Sequence, residues 1–252
     1  MTANYHTHTR WCRHGTGEIE DYIREALKRG FAELAITEHV PLPGDPDPLR
    51  MLCSEFDDFD REFDSLIKKY SGRITLRKGL ECEYYPSLLD YYRDLREKRA
   101  YEILILGQHT SIDRRFDNFF LHRPEEVLLY ADEVTQGLAT GLFTFLAHPD
   151  VPIAGYGKAD DAFMEAMGKI FSACEKLGIP VEINANGFHY KRGYPCVKVW
   201  KLAANYRLDC LVNADAHHVK DLAGPGVEQC ETLAKDLKLT VLSRLPSLVP
   251  GP

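Results

Sequence analysis

Short apolar stretches alternate along the chain with longer amphipathic ones. The apolar stretches predict seven β-strands, at residues 3–8, 32–37, 74–84, 102–107, 142–148, 180–184 and 208–215. The amphipathic stretches predict helices at residues 18–29, 54–70, 87–99, 123–139, 160–177, 195–206 and 226–237. The first helix, for example, places Ile19, Ile23 and Leu27 on one stripe and ends at Gly30. The pattern therefore predicts strands and helices in regular alternation.

This alternation is typical of βαβ units and a parallel sheet. Seven units follow one another without a long linker or a repeat, which predicts one domain over residues 1–252 and favours a closed α/β barrel. An open, doubly wound sheet is the alternative. Such a sheet is expected to carry a glycine-rich phosphate loop after its first strand, and the sequence contains neither GxGxxG nor a Walker A pattern.

The composition, 44% hydrophobic and 27% charged over 252 residues, is ordinary for a globular enzyme. A net charge of −7 without a basic block argues against a nucleic-acid partner. No apolar run approaches the roughly 20 residues of a membrane span, so we expect neither a membrane partner nor a secretory leader. The seven cysteines are scattered without a CxxC pair, which indicates reduced thiols and predicts a cytoplasmic protein.

Histidine and carboxylate side chains occur at the ends of the predicted strands. They are His6 and His8 in the first strand, His39 after the second, Glu81 within the third, His109 after the fourth, His148 at the end of the fifth, and Asp215 and His217 at the last. Strand ends in a parallel barrel converge on one rim, so we expect these residues to lie together. Imidazoles crowded in a small space repel one another on protonation unless metal ions order them.

The opening run NYHTHTRWCRHG adds His14, which brings the potential ligands to nine. Nitrogen and oxygen ligands without thiolates suit Zn²⁺, Mn²⁺ or Fe²⁺ held for hydrolysis. Nine ligands exceed the need of one or two ions that keep positions open, which predicts three divalent metal ions. Of the remaining histidines, we interpret His122 as a surface residue, His189 as part of a substrate loop and His218 as a neighbour of the ligands.

Six short motifs follow one another along the chain: HTH, TEH, GLE, GQH, AHPD and DAH. In this order and spacing they resemble the polymerase-and-histidinol-phosphatase (PHP) family, most closely its monofunctional histidinol-phosphate phosphatase branch. The resemblance extends from His6 to His217. It implies a distorted (β/α)7 TIM-like barrel with a trinuclear metal site at the C-terminal rim of the strands, in agreement with the seven units.

The resemblance also implies how the ligands divide among the ions. One ion would be bound by His6, His8, Glu81 and Asp215, a second by His14, His39 and His217, and a third by His109 and His148, with Glu81 bridging the first and third. Many family members carry Asp where His14 stands, and histidine there favours the phosphatase branch. Glu83, on the same strand face, is the alternative to Glu81. Glu81 is preferred because it directly follows GL, which leaves Glu83 to bind a substrate ammonium or hold a ligand histidine.

The activity implied by the resemblance is hydrolysis of the small phosphorylated substrate L-histidinol phosphate, in histidine biosynthesis, by attack of a metal-bridging hydroxide. The run NANGFHYKRGYP offers Lys191 and Arg192 to the phosphate, and Arg192 is favoured as a bidentate clamp. Other candidates for these roles are Arg10, Arg114 and Arg115 for the phosphate, Glu83 or Asp150 for the ammonium, and Trp11, His189 or Tyr190 for the ring.

Two other functions remain open at this stage. One is hydrolysis of another small monoester, such as a nucleotide or sugar phosphate. The other is a proofreading or metal-stabilised binding module. The acidic charge and the lack of a polymerase body weigh against proofreading, and the intact ligand set weighs against a binding module.

Overall fold

The computed structural model describes residues 1–45 and 47–246, so residues 46 and 247–252 of the predicted domain lie outside the described residues. The strands are β1 (Ala3–Asn4), β2 (Glu33–His39), β3 (Thr75–Cys82), β4 (Ile103–Leu106), β5 (Phe145–Leu146), β6 (Val181–Asn184), β7 (Asp209–Asn213) and β8 (Thr240–Val241). The α-helices are α1 (Ile19–Lys28), α2 (Phe56–Tyr70), α3 (Leu89–Glu97), α4 (Pro124–Ala139), α5 (Ile153–Tyr156), α6 (Asp161–Leu177), α7 (Ala185–His189), α8 (Val197–Ala203) and α9 (Pro225–Asp236). Within the described residues, no helix has the length and apolar character to cross a membrane.

The eight strands form one parallel sheet in which each strand pairs with the next along the chain. The longest pairing joins β2 to β3, from Glu33 opposite Thr75 to His39 opposite Glu81. Sequential order with intervening helices is the arrangement of a TIM barrel, which confirms the predicted distorted TIM-like fold. The doubly wound alternative is wrong, because such a sheet reverses its strand order at a switch point.

The barrel closes between β1 and β7 near their carboxyl ends. Thr7 forms an isolated parallel bridge with Ala216. The side-chain oxygens of Asn4 and Asn213 each accept a hydrogen bond from the backbone amide that follows the other asparagine, at 2.7 and 2.9 Å. Side-chain amides thus replace ladder bonds here, and for this reason the strand predicted at 3–8 contains only two residues.

An eighth strand, which the hydrophobic pattern did not predict, lies beside the amino-terminal end of β7, away from the β1–β7 closure. β8 pairs with the first residues of β7, with Thr240 opposite Asp209. Beyond it, the backbone amide of Leu245 donates to the Tyr5 hydroxyl at 3.0 Å. The prediction of seven strands omitted β8 because its two residues are both exposed and show no apolar alternation. Helices α5 and α7, of four and five residues, were also missed within irregular segments.

Alternate strand residues face the inside of the barrel and the surrounding helices. In β4, Ile103 and Ile105 belong to a small inner apolar cluster, whereas Leu104 and Leu106 belong to the larger cluster packed against the helices. Glu81 of β3 pairs with Ile105 and is buried. The inner face therefore changes from apolar side chains to a carboxylate toward the C-terminal rim.

Candidate metal centre

The predicted metal ligands lie where the strands end. His39 is the last residue of β2, and Glu81 lies one residue before the end of β3. His148 and Asp215 follow the ends of β5 and β7, and both have positive φ angles, 25° and 46°. Non-glycine residues rarely adopt this region, and where they do the surroundings hold them there. The two strained positions therefore mark the rim as a functional site.

Glu81 occupies the middle of the ligand cluster. Its Oε2 atom lies 3.3 Å from His6 Nε2, 3.3 Å from His8 Nε2 and 3.1 Å from His39 Nδ1, and its Oε1 atom lies 3.0 Å from His148 Nε2 and 3.3 Å from His109 Nε2. A side chain at Gly107 would collide with this carboxylate, so the glycine leaves the space that Glu81 fills. One buried carboxylate thus faces imidazoles from four strand ends.

A second carboxylate, Asp215, approaches the same cluster from β7. Its Oδ1 atom lies 3.6 Å from His6 Nε2 and 3.5 Å from His8 Nε2. His217, two residues on, brings its Nε2 atom to 3.0 Å from His14 Nε2. The structure therefore brings all nine predicted ligands into one cluster.

The pKa values in the cluster favour an ionised Glu81 carboxylate and divide the imidazoles into two groups. Burial alone would raise the pKa of Glu81, but the imidazoles of His109, His6 and His39 hold it well below its ordinary value. Burial lowers the pKa of His6 and His109 less than the neighbouring carboxylates raise it, so that of His6 is well above its ordinary value and that of His109 is raised to about 10. Burial lowers the pKa of His39 and His217 well below the ordinary value, and neighbouring histidines act in the same direction. Neutral imidazole is the form that binds metal ions.

Several buried nitrogen atoms of the cluster have no hydrogen-bond partner among the described residues. They are Nε2 of His6, both ring nitrogens of His8, Nδ1 of His39 and Nδ1 of His148. Buried polar atoms are normally hydrogen-bonded, so these atoms require another partner. Three-residue groups, including His6–His8–Glu81 and His8–His39–His217, bring their ligand atoms within 4.8 Å of one another. The donor set therefore fits a centre of more than one metal ion.

Hydrogen bonds outside the cluster orient three of the imidazoles. The Nδ1 atom of His6 lies 2.8 Å from Glu182 Oε1, that of His14 lies 2.7 Å from the Cys12 carbonyl oxygen, and that of His109 lies 2.9 Å from Glu83 Oε1. A proton on Nδ1 that is donated to these acceptors leaves the Nε2 lone pair free for a metal ion. In each of the three residues, Nε2 is the atom that faces the cluster.

Two residues of this outer layer were missed by the sequence analysis. Glu182 also accepts from the His148 backbone amide at 3.0 Å, and its charge within the apolar strand VEIN is a signal that could have identified it. Arg50 is buried and bonds Glu83 from a proline-rich loop. The sequence around Arg50 contains no corresponding signal, because its partner is 33 residues away.

A cleft of about 840 Å³ opens onto the cluster, and Lys191 and Arg192 both line it. The Arg192 guanidinium lies over the rings of Phe119 and Tyr190, 5.6 and 5.5 Å from their centroids. Tyr190 also lines the cleft. The structure thus brings together the metal cluster, two cations and an aromatic wall.

The other substrate-binding candidates are engaged elsewhere. Arg10 pairs with Glu18 and Glu62, and it is not among the described residues that line the cleft. Glu83 is fully buried between Arg50 and His109, which agrees with its predicted alternative role of holding a ligand histidine and not with ammonium binding.

Five of the lesser candidates are not among the described residues that line the cleft. Arg114 lies over Tyr85, Arg115 pairs with Asp113, Trp11 donates to Glu62, Asp150 accepts from the Cys196 amide, and His189 lies 3.3 Å from Asp221. His218 does line the cleft, where its Nδ1 atom is 2.7 Å from the Thr16 hydroxyl.

This chain forms a parallel barrel with imidazoles and carboxylates clustered at the carboxyl ends of its strands. These features place it in the class of barrel metalloproteins. Within this class, the family model described as PHP domain matches residues 4–186, and the chain belongs to that family.

Relatives and solved structures agree with this placement. A Deinococcus radiodurans protein named "Probable histidinol-phosphatase" is 27% identical over 222 residues, covering 84% of this chain and 85% of that protein. The histidinol-phosphatase of Bacillus subtilis is 38% identical over 92 residues, 34% of each chain. The histidinol phosphate phosphatase of Lactococcus lactis, solved with zinc, L-histidinol and phosphate, has a similar fold, with a TM-score of 0.78 at 18% identity over 98% of this chain and 97% of that one.

Proposed function

We propose that this protein is a metal-dependent phosphatase that hydrolyses L-histidinol phosphate to L-histidinol and phosphate. The observation that carries the proposal is the buried Glu81 carboxylate, surrounded by imidazoles at the floor of a cleft that Arg192 also lines. The names of the relatives supply the substrate. The coarser statement, a small phosphorylated substrate, is supported by the size of the cleft and by the cations Lys191 and Arg192 that line it beside the ligand cluster.

We infer that nine residues hold three divalent ions, zinc, manganese or iron. His6, His8, Glu81 and Asp215 would hold one ion, His14, His39 and His217 a second, and His109 and His148 a third that shares Glu81. The distances support this division, since His14 Nε2 approaches His217 Nε2 at 3.0 Å and His109 Nε2 approaches His148 Nε2 at 3.3 Å. Two imidazole nitrogens this close to each other suit the binding of a single ion.

When bound, the ions supply a water of lowered pKa and neutralise charge on the phosphoryl oxygens. The protein contributes the geometry around them. Ionised Glu81 offsets the positive charge of the centre at its core. Arg192 can donate two parallel hydrogen bonds to the phosphoryl group. Its position near two aromatic rings limits the freedom of the guanidinium group. The chain needs no nucleophilic side chain for this reaction.

Phosphate release tests the proposal directly. Protein loaded with Mn²⁺, Zn²⁺ or Fe²⁺ is assayed on histidinol phosphate, a nucleoside monophosphate and a sugar phosphate, and the metal content is measured in parallel. We expect histidinol phosphate to give the highest kcat/KM and the metal content to approach three ions per chain. A preference for another monoester would replace the proposed substrate and keep the metal centre, whereas metal-loaded protein without activity on any of the three esters would contradict the proposed phosphatase function.

Arg192→Ala is expected to lower kcat/KM for histidinol phosphate at least about tenfold, which requires the loss of only about 1.4 kcal/mol of transition-state binding. The metal content should not change, because Arg192 is not among the ligands. Arg10→Ala is the matched control, since Arg10 also follows a strand but is held outside the cleft by two carboxylates. If steady-state kinetics show that Arg10→Ala and not Arg192→Ala lowers kcat/KM, the phosphate-binding role would belong to Arg10 instead of Arg192.

A further inference from the structure

We propose that Arg50 is a positioning residue of the metal centre: it fixes the Glu83 carboxylate, which in turn orients the ligand His109. Arg50 belongs to the segment between β2 and α2, and it lines the cleft together with Asp47 and Leu49. The inference rests on the metal centre of the proposed function and adds a residue that touches no ligand atom of the ions.

The contacts form a short chain from the loop to the cluster. Arg50 Nη2 donates to Glu83 Oε1 at 2.5 Å, and Arg50 Nε donates to Asp47 Oδ2 at 2.9 Å. The same Oε1 atom of Glu83 lies 2.9 Å from His109 Nδ1. At the other edge of the ring, His109 Nε2 lies 3.3 Å from both Glu81 Oε1 and His148 Nε2.

The ring of His109 needs this support for a geometric reason. Phe119 stacks on it with an interplanar angle of 4° and a centroid distance of 5.8 Å. Stacking fixes the plane of the ring, but a half-turn about the Cβ–Cγ bond keeps that plane and exchanges a nitrogen for a carbon at each edge. The hydrogen bond from Nδ1 to Glu83 distinguishes the two orientations and keeps the Nε2 lone pair on the metal side.

Glu83 depends on Arg50 because both groups are buried. The side chain of Glu83 is fully buried and that of Arg50 is 7% exposed. Glu83 Oε2 has no hydrogen-bond partner in the part of the chain that the structure describes. A buried carboxylate that loses its countercharge is strongly destabilised and moves toward other partners. This movement removes the acceptor that His109 Nδ1 requires.

The same loop touches a second ligand. Leu49 directly precedes Arg50, and its carbonyl oxygen lies 3.0 Å from His14 Nδ1. Asp47 Oδ1 accepts from the Leu49 amide at 2.9 Å, so one carboxylate fixes both the backbone and the guanidinium. Residues 47–50 thus support imidazoles assigned to two different ions.

The test compares metal retention in Arg50→Met, Arg50→Lys and Arg77→Met. Arg77 is the matched control, because it is also a shielded arginine between two carboxylates, Glu33 and Glu102, but at the opposite end of the barrel. Each purified protein is titrated with a zinc chelator, zinc per chain is measured by elemental analysis, and the melting temperature is measured after full zinc removal.

We expect Arg50→Met to bind one of the ions about 10–100-fold more weakly than wild type, with kcat lowered and KM for histidinol phosphate nearly unchanged. Arg50→Lys should restore part of the affinity, because it returns the countercharge without the second donor. Arg77→Met should keep wild-type zinc affinity even if its melting temperature is lower than that of wild type. Glu83→Gln should weaken the same ion, and combining it with Arg50→Met should add little.

Wild-type zinc affinity in both Arg50→Met and Glu83→Gln would overturn the inference and leave the proposed function intact. Equal zinc loss in Arg77→Met and Arg50→Met would also overturn it, because the effect would then follow general stability. Should Arg50→Met fail to fold, Arg50→Lys and Glu83→Gln carry the comparison. Wild-type protein that binds no zinc, manganese or iron would instead overturn the proposed function, and this is seen before any variant is made.

Discussion

Glu81→Gln is expected to release metal and to lower kcat/KM at least about 1,000-fold, the largest effect of any single substitution considered for this protein. The substitution preserves the size of the side chain and removes its charge. Glu81 offers both oxygens to the cluster, and the pKa of its carboxyl group is held well below the ordinary value by three imidazoles. An amide can present only one acceptor oxygen, and its NH₂ group would face a histidine nitrogen.

Elemental analysis and phosphate release measure this result. Glu133→Gln is the matched control, because Glu133 is a buried glutamate on α4 whose pKa is raised by burial to about 7. It lies outside the ligand cluster, so this variant should keep the metal content and the activity of wild type. If the Glu81→Gln protein keeps its full metal content and still hydrolyses histidinol phosphate, another carboxylate would have the role assigned to Glu81.

Complete removal of the metal ions is expected to abolish turnover and to lower the melting temperature by at least about 8 °C. An ion present at about 1,000 times its Kd stabilises the folded state by about 4 kcal/mol, and in a protein of this size each kcal/mol corresponds to about 2–4 °C. Buried imidazole nitrogens that lose their ion are left without partners, which adds to the cost.

Thermal unfolding of the metal-free and reloaded protein checks this expectation. Reloading with the same metal should restore both the melting temperature and the activity. Addition of the chelator already saturated with the same metal ion, which leaves it no capacity for the ions of the protein, is the control. Equal melting temperatures for the metal-free and metal-loaded protein would mean that the packing of the barrel holds the ligand side chains in place without the ions.

The metal cluster could be predicted from sequence because two simple regularities coincide there. Apolar runs locate the strands, and parallel strands in a barrel end at one rim. His39 and His148, which lie at or just beyond the ends of such runs, are therefore expected to lie near one another. The resemblance to the PHP family then supplied the division of the ligands among the ions.

The surroundings of the cluster could not be predicted in the same way. Arg10 and Arg192 both follow strands, and the sequence does not show that two carboxylates hold Arg10 away from the cleft. Arg50 and Glu182 act through partners distant in the chain, and their roles depend on side-chain directions. The two exposed residues of β8 have no periodicity that could mark them as a strand.

The closure of the barrel between β1 and β7 also bears on the order of events during synthesis. The Thr7–Ala216 bridge joins positions more than 200 residues apart, and His8 and His217 lie beside its two halves. Contacts of such long sequence separation form late, since a large loop must close first. A ribosome must therefore release nearly the whole barrel before the metal centre is complete, so metal loading reports on a finished fold.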